Sequence, residues 1–137
     1  MNKPITQKDK FGCGVASVAF VLEITYQEAL EMFDKNDIEK PEFYCRDLVR
    51  ALENANCKYN YKYLKPGLQK KIYKKGVIVF IKKSKDYPYG HYLARTDNCW
   101  MDSWINLRKD KDIKNAKSSS RRRLPGRPIY AIFPEKA

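Results

Sequence analysis

The stretch "QKDKFGCGVASVAF", residues 7–20, decides how this chain is read. A polar segment turns apolar at Cys13, which stands between Gly12 and Gly14. From Gly12 to Ile24 the residues Val15, Ala16, Val18, Ala19, Phe20, Val21 and Leu22 cover nearly every helical face, so the spacing predicts a buried helix. Two readings of Cys13 are open at this point. It is a small buried residue at a helix start, or it is a thiol placed where unpaired backbone N–H groups favour a thiolate.

Further along, Thr25-Tyr26-Gln27-Glu28 is a capping-box pattern that opens a second helix with Ala29, Met32 and Phe33 on one face. "DKNDIEKPE" reads as a loop. A third helix is expected over roughly Phe43 to Asn54, with Phe43, Leu48, Val49 and Leu52 at helical spacing. The period then changes. "KYNYKYL" alternates Tyr59, Tyr61 and Tyr63 against polar residues, a half-buried strand. Pro66-Gly67 turns the chain and "LQKKIYKK" reads as a short helix or loop. "GVIVFIKK", "GHYLART", "CWMDSWI" and "PIYAIFP" complete a set of strands. Residues 108–128 carry almost no apolar side chains and read as a long exposed basic loop. Helices first and strands after argue for an α+β domain, with a helical half at about 11–57 and a β-sheet half at about 58–134.

Composition bounds the rest. The 137 residues suffice for one domain with one core, and 43% hydrophobic content rules out a disordered chain. No apolar run approaches the ~20 residues of a membrane span, and "MNKPITQKDK" lacks the apolar region of a secretory signal. Cysteines stand at 13, 45, 57 and 99 with no C-x-x-C pair, and there is 1 histidine, which argues against a zinc site. Reduced thiols and no signal point to the cytoplasm. Residues 1–57 hold 7 Lys/Arg and 10 Asp/Glu, whereas residues 58–137 hold 21 and 6. A basic half of this kind attracts polyanions or acidic protein surfaces.

A nucleophilic cysteine needs a base, a group to orient it and donors for an oxyanion. The base can only be His91. If Asp97-Asn98 is a two-residue hairpin turn, Thr96 pairs with Cys99, Leu93 with Asp102 and His91 with Trp104. His91, Leu93 and Arg95 then share a face with Trp104, Asp102 and Trp100. Asp102 becomes the diagonal neighbour of His91, roughly 7–8 Å away between backbones. Asp97 would lie about 20 Å off, so Asp102 is the better orienter. Gln7 stands six residues before Cys13, and its amide is a candidate oxyanion donor beside the Cys13 N–H.

Gln7, "GCGVAS" around Cys13, "GHYL" around His91 and "WMDSW" around Asp102 together resemble the papain-like cysteine peptidases. Within them the chain looks most like the compact bacteriocin-processing (C39-like) peptidases, found as domains of export transporters and as free-standing proteins. The resemblance spans nearly the whole chain and implies a papain-like domain over 1–137, N-terminal helices packed on a C-terminal antiparallel β-sheet. It implies Cys13 as nucleophile, His91 as base, Asp102 as orienter and Gln7 as oxyanion donor. Gly12, Gly14, Gly90 and Trp104 are the expected substrate-binding residues. The implied activity is hydrolysis of an amide bond in a peptide or protein, with no cofactor and no metal. The chain departs from the family pattern in having Gly12 where Asp often precedes the cysteine and Ser103 where Pro commonly follows the aspartate. Deamidases, transglutaminases and isopeptidases share this thiol–imidazole chemistry. The rival function uses Arg121, Arg122 and Arg123 as an anion-binding segment, in an inactive or secondary domain that binds nucleic acid or an acidic protein.

Overall fold

The polar-to-apolar switch at Gly12 is where a helix begins. The computed structural model describes residues 3–34 and 44–135. Helix α1, Cys13–Leu22, buries every residue from Gly14 to Phe20. It ends where Glu23 turns left-handed at φ 60° and returns its N–H to the Ala19 and Phe20 carbonyls. Helix α2, Tyr26–Leu30, starts on the expected capping box. The Glu28 N–H donates to Thr25 Oγ1 and the Thr25 N–H to Glu28 Oε1, each at 3.0 Å. Helix α3, Cys45–Asn54, is amphipathic and buries Leu48, Ala51 and Leu52. Its expected start at Phe43, and most of the loop before it, lie outside the described residues.

Six antiparallel strands form one sheet: β1 Tyr59–Tyr63, β2 Ile78–Ile81, β3 His91–Arg95, β4 Trp100–Asp102, β5 Ser119–Arg121 and β6 Pro128–Pro134, in the order β1-β6-β2-β3-β4-β5. Alternate residues of the central strands enter two separate cores. Ile78, Tyr92, Ala94, Met101 and Ile132 pack with α1 and α3 on one face. Val79, Leu93, Trp100 and Ala131 pack on the other with Leu64, Ile72 and Tyr87. The 3₁₀ helix Pro66–Tyr73 supplies Ile72 to that second core. Burial on both faces is why "GVIVFI" is apolar throughout rather than alternating. Each fully buried Val, Leu or Ile contributes roughly 1.5–3 kcal/mol.

The hairpin register follows the expectation. The Thr96 N–H donates to the Cys99 carbonyl at 2.9 Å, and Ala94 faces Met101 while Arg95 faces Trp100. Two expectations are corrected. The tyrosine stripe of β1 is buried only at Tyr59; Tyr61 and Tyr63 are 46% and 55% exposed. β1 is an edge strand, and its later residues pair with β6 while facing solvent. The basic segment 108–128 is not one long loop. It holds a 3₁₀ turn, Ile113–Asn115, and strand β5, which sets Ser119 opposite Asp102 and Arg121 opposite Trp100. Ser-Ser-Arg shows no apolar alternation because an edge strand is held by its backbone bonds.

Candidate active site

The start of α1, the start of β3 and the end of β4 come together at one cleft. Cys13 is the first residue of α1, where the leading backbone N–H groups have no intrahelical acceptor. Gly12, the residue that caps the helix, offers no side-chain acceptor to them. His91 opens β3 and is 2% exposed. Its Nε2 lies 2.7 Å from Asp102 Oδ1, and the ring interacts electrostatically with the neighbouring Cys13 side chain. With Nε2 held by the carboxylate, Nδ1 is the nitrogen left for the sulfur. The next residue adds a contact from its backbone, the Tyr92 N–H donating to Cys13 Sγ at 3.5 Å. The Tyr87 ring lies against the imidazole, with centroids 5.2 Å apart.

Asp102 is fully buried and uses both oxygens. Oδ1 accepts from His91 and, at 3.0 Å, from the Trp104 N–H; Oδ2 accepts from Arg121 Nη1 at 2.9 Å. Burial alone would raise its pKa, but the His91 hydrogen bond and charge, the Trp104 N–H and Arg121 together hold the carboxyl below its ordinary value. Burial alone would lower the pKa of His91. The electrostatic interaction with Cys13 and the bond to Asp102 outweigh it and raise the imidazole well above 6.5. The arrangement therefore favours an imidazolium beside the Asp102 carboxylate. Burial pushes the Cys45 thiol up to about 11.

Gln7 is buried beside this row. Its Oε1 accepts from Ser103 Oγ at 2.7 Å, and its Nε2 donates to the Asp9 and Lys10 carbonyls at 3.0 and 3.2 Å. The serine that follows Asp102 thus fixes the amide. Gln7, Cys13, Gly90, His91 and Trp104 all line one cleft of about 310 Å³. Gly90 sits at φ +73°, and any Cβ there would run into the Phe80 ring.

The other flagged residues stand elsewhere. Gly12 and Gly14 are buried, and the space their missing side chains leave is filled by Tyr26 and Leu48 rather than opening on the cleft. Arg121 is committed to Asp102 and, through Nε, to the Arg123 carbonyl at 3.0 Å, so the anion it meets is the protein's own. Arg122 and Arg123 are exposed. Sequence reasoning missed Arg121 behind Asp102, the Ser103–Gln7 bond and the Tyr92 N–H. A segment without apolar residues gives no strand signal, and backbone donors leave no trace in side-chain identity. Among the described residues no three His, Cys, Asp or Glu side chains converge as metal ligands, and no helix is long and apolar enough to cross a membrane.

No family model and no curated protein matches this sequence. Among solved structures the chain is similar to the peptidase domain of Streptococcus ComA, described as a bi-functional ABC transporter involved in a quorum-sensing pathway. The TM-score is 0.60 at 18% identity, and the match covers 98% of each chain. The fold is papain-like. Helices on an antiparallel sheet, expected from the order of elements and from the resemblance, are what the chain adopts.

Proposed function

We propose that this protein is a cysteine peptidase-like hydrolase that cleaves an amide bond through a thioester on Cys13. The observation that supports it is Cys13 and His91 lining one cleft and interacting electrostatically there, with Asp102 hydrogen-bonded behind the imidazole. In this mechanism the Cys13 thiolate attacks the carbonyl carbon, and the C=O electron pair moves onto oxygen. The Cys13 N–H and the Gln7 amide stabilise that oxyanion, the amide exchanging one of its Asp9 or Lys10 carbonyl partners for it. The tetrahedral species collapses, the C–N bond breaks, and His91 gives its proton to the leaving amine. His91 then takes a proton from water as the water attacks the thioester. The C–S bond breaks, the acid leaves, and the proton on His91 restores the starting pair. Asp102 holds the ring throughout and remains ionised.

The same residues serve a deamidase or isopeptidase, since only the leaving amine differs. The binding-module reading is the weaker one, because Arg121 already faces Asp102. A thiolate nucleophile works only while reduced, which fits a reducing compartment such as the cytoplasm.

Selective alkylation tests the proposal. Limiting iodoacetamide at mildly acidic pH, followed by mass mapping, should modify Cys13 ahead of Cys45, Cys57 and Cys99. His91→Ala should abolish that preference. Equal modification of all four thiols, or a preference for Cys13 that survives the loss of His91, refutes the thiolate–imidazolium pair.

A further inference from the structure

The cleft at Cys13 does not end at the sulfur. Phe80 and Tyr92 line it, and the same two rings line a second, larger groove of about 660 Å³. Tyr44, Tyr61 and Tyr130 add aromatic wall to that groove, and Cys45 and Ile129 add apolar wall. Among the described residues its charged lining consists of Arg46, Lys82 and Lys83, all exposed, and includes no carboxylate. The Arg46 guanidinium lies 5.3 Å from the Tyr44 ring centroid, which sets one cation at the groove edge. The nearby Asp47 is buried with its carboxylate on the Tyr44 N–H, facing away from solvent. The cleft at Cys13 continues the trend: its charged lining residues other than His91 are Lys10 and Lys111.

We propose that this second groove is a substrate-specificity site for acidic peptides. Resting on the peptidase reading, it holds the segment flanking the scissile bond, with an aliphatic or aromatic side chain between the tyrosines and an Asp or Glu beside it on Arg46 and Lys82. Three features favour this occupant. The groove shares its wall with the nucleophile's cleft, so a chain lying in it leads to the sulfur. Its walls mix rings and aliphatic groups as a side-chain pocket does. Arg46 and Lys82 meet no carboxylate among the described lining residues, so at these two positions a basic peptide would be repelled and an acidic one drawn in.

Binding to Cys13→Ala protein tests this without turnover. Two fluorescent decapeptide pools share the same apolar residues and differ only in carrying Asp and Glu or Lys and Arg. By fluorescence anisotropy at low salt, the acidic pool should bind about 10-fold tighter, and Arg46→Glu/Lys82→Glu should reverse the order. Both substitutions are at exposed positions, and an unchanged Tm verifies the fold. Equal binding of the two pools, or an acidic preference that survives the double reversal, overturns the proposal. So does a single-stranded oligonucleotide that binds tighter than the acidic pool and is lost in the same variant, which would make the groove a nucleic-acid site. The alkylation of Cys13 in the native protein is read separately. Selective alkylation with no acidic preference sinks the groove alone. An acidic preference without selective alkylation sinks the peptidase reading and leaves an acidic-peptide site.

Discussion

Arg121 Nη1 lies 2.9 Å from Asp102 Oδ2, so the carboxylate that holds His91 is itself held from a strand 19 residues further on. The pairing follows from register. β5 lies against β4 with Arg121 opposite Trp100, two residues from Asp102 and on the diagonal that a long side chain spans. Asp102 spends one oxygen on the imidazole and the other on the guanidinium. A carboxylate tethered at both oxygens cannot swing away from the ring.

Arg121→Met should therefore lower kcat by about 10-fold while leaving KM little changed, because a positioning contact is lost and no substrate contact is. Its second signature is electrostatic. Without the guanidinium the Asp102 carboxyl titrates at higher pH, so the acid limb of the kcat profile moves upward. Arg121→Lys should recover part of both effects. A wild-type pH profile in Arg121→Met would show that the pair is only structural.

The titration of His91 gives a stability prediction with a definite sign. Its folded pKa is raised above 6.5, so the imidazolium stabilises the fold fully below about pH 6.5, and that contribution is lost as pH rises toward 10. Asp102 works in the other direction. Its folded pKa is depressed, so its contribution is present above about pH 4 and lost on acidification. The Tm advantage of wild type over His91→Gln should be largest near pH 5–6 and shrink steadily toward pH 10. An advantage that grows with pH would contradict the imidazolium assignment.

Gly12 and Gly90 are predicted to fail on substitution for different reasons. Gly90→Ala meets both a positive φ and the Phe80 ring, and should destabilise the fold by at least about 1–3 kcal/mol at the residue just before His91. Gly12→Ala meets the Tyr26 hydroxyl first, which donates to Asp9 Oδ2 at 2.8 Å, and then, more loosely, the Asp9 carbonyl oxygen at 3.1 Å. Tyr26→Phe removes that hydroxyl. The double variant Gly12→Ala/Tyr26→Phe should therefore be more stable than the sum of the two single losses implies, a coupling of about 0.5–3 kcal/mol in a thermal-melt cycle. Strict additivity would mean the clash is relieved some other way.

How far these relationships were legible differs from residue to residue. The Asp102–His91 contact followed from a two-residue turn and strand alternation, since the turn sets the register and period 2 then puts both side chains on one face. The first turn of α1 was legible because the apolar run is uninterrupted on every face. Arg121 was not, because edge strands that pair by backbone need no side-chain pattern, and in sequence the residue belongs to a basic run that reads as an exposed loop and anion-binding segment. The glycines beside Cys13 were misplaced for a related reason. A sequence shows that a side chain is missing but not which neighbour fills the gap, and here it is Tyr26 and Leu48. The basic balance of the second half showed in composition, yet Arg46 comes from the acidic first half, so only the fold brings it to the groove with Lys82 and Lys83.

The oxyanion donor can be dissected through its support. Gln7 Oε1 takes the Ser103 hydroxyl at 2.7 Å, and the Gln7 N–H reaches the Ser103 carbonyl at 3.3 Å, so one residue pins both the amide and the backbone of the other. Gln7→Ala removes the amide itself and should lower kcat by about 10²–10³ while leaving a measurable remainder from the Cys13 N–H. Cys13→Ala should leave nothing, since no bond to the substrate can form. Ser103→Ala keeps the amide but frees it to turn, at a cost of about 1–3 kcal/mol for leaving a buried carbonyl oxygen unpaired, so a smaller fall in kcat is expected. The ordering Cys13→Ala, Gln7→Ala, Ser103→Ala, from greatest loss to least, separates a chemical role from a supporting one. If Ser103→Ala lost as much as Gln7→Ala while Gln7→Glu retained full turnover, the amide would be scaffolding, and the oxyanion would rest on the helix N-terminus alone.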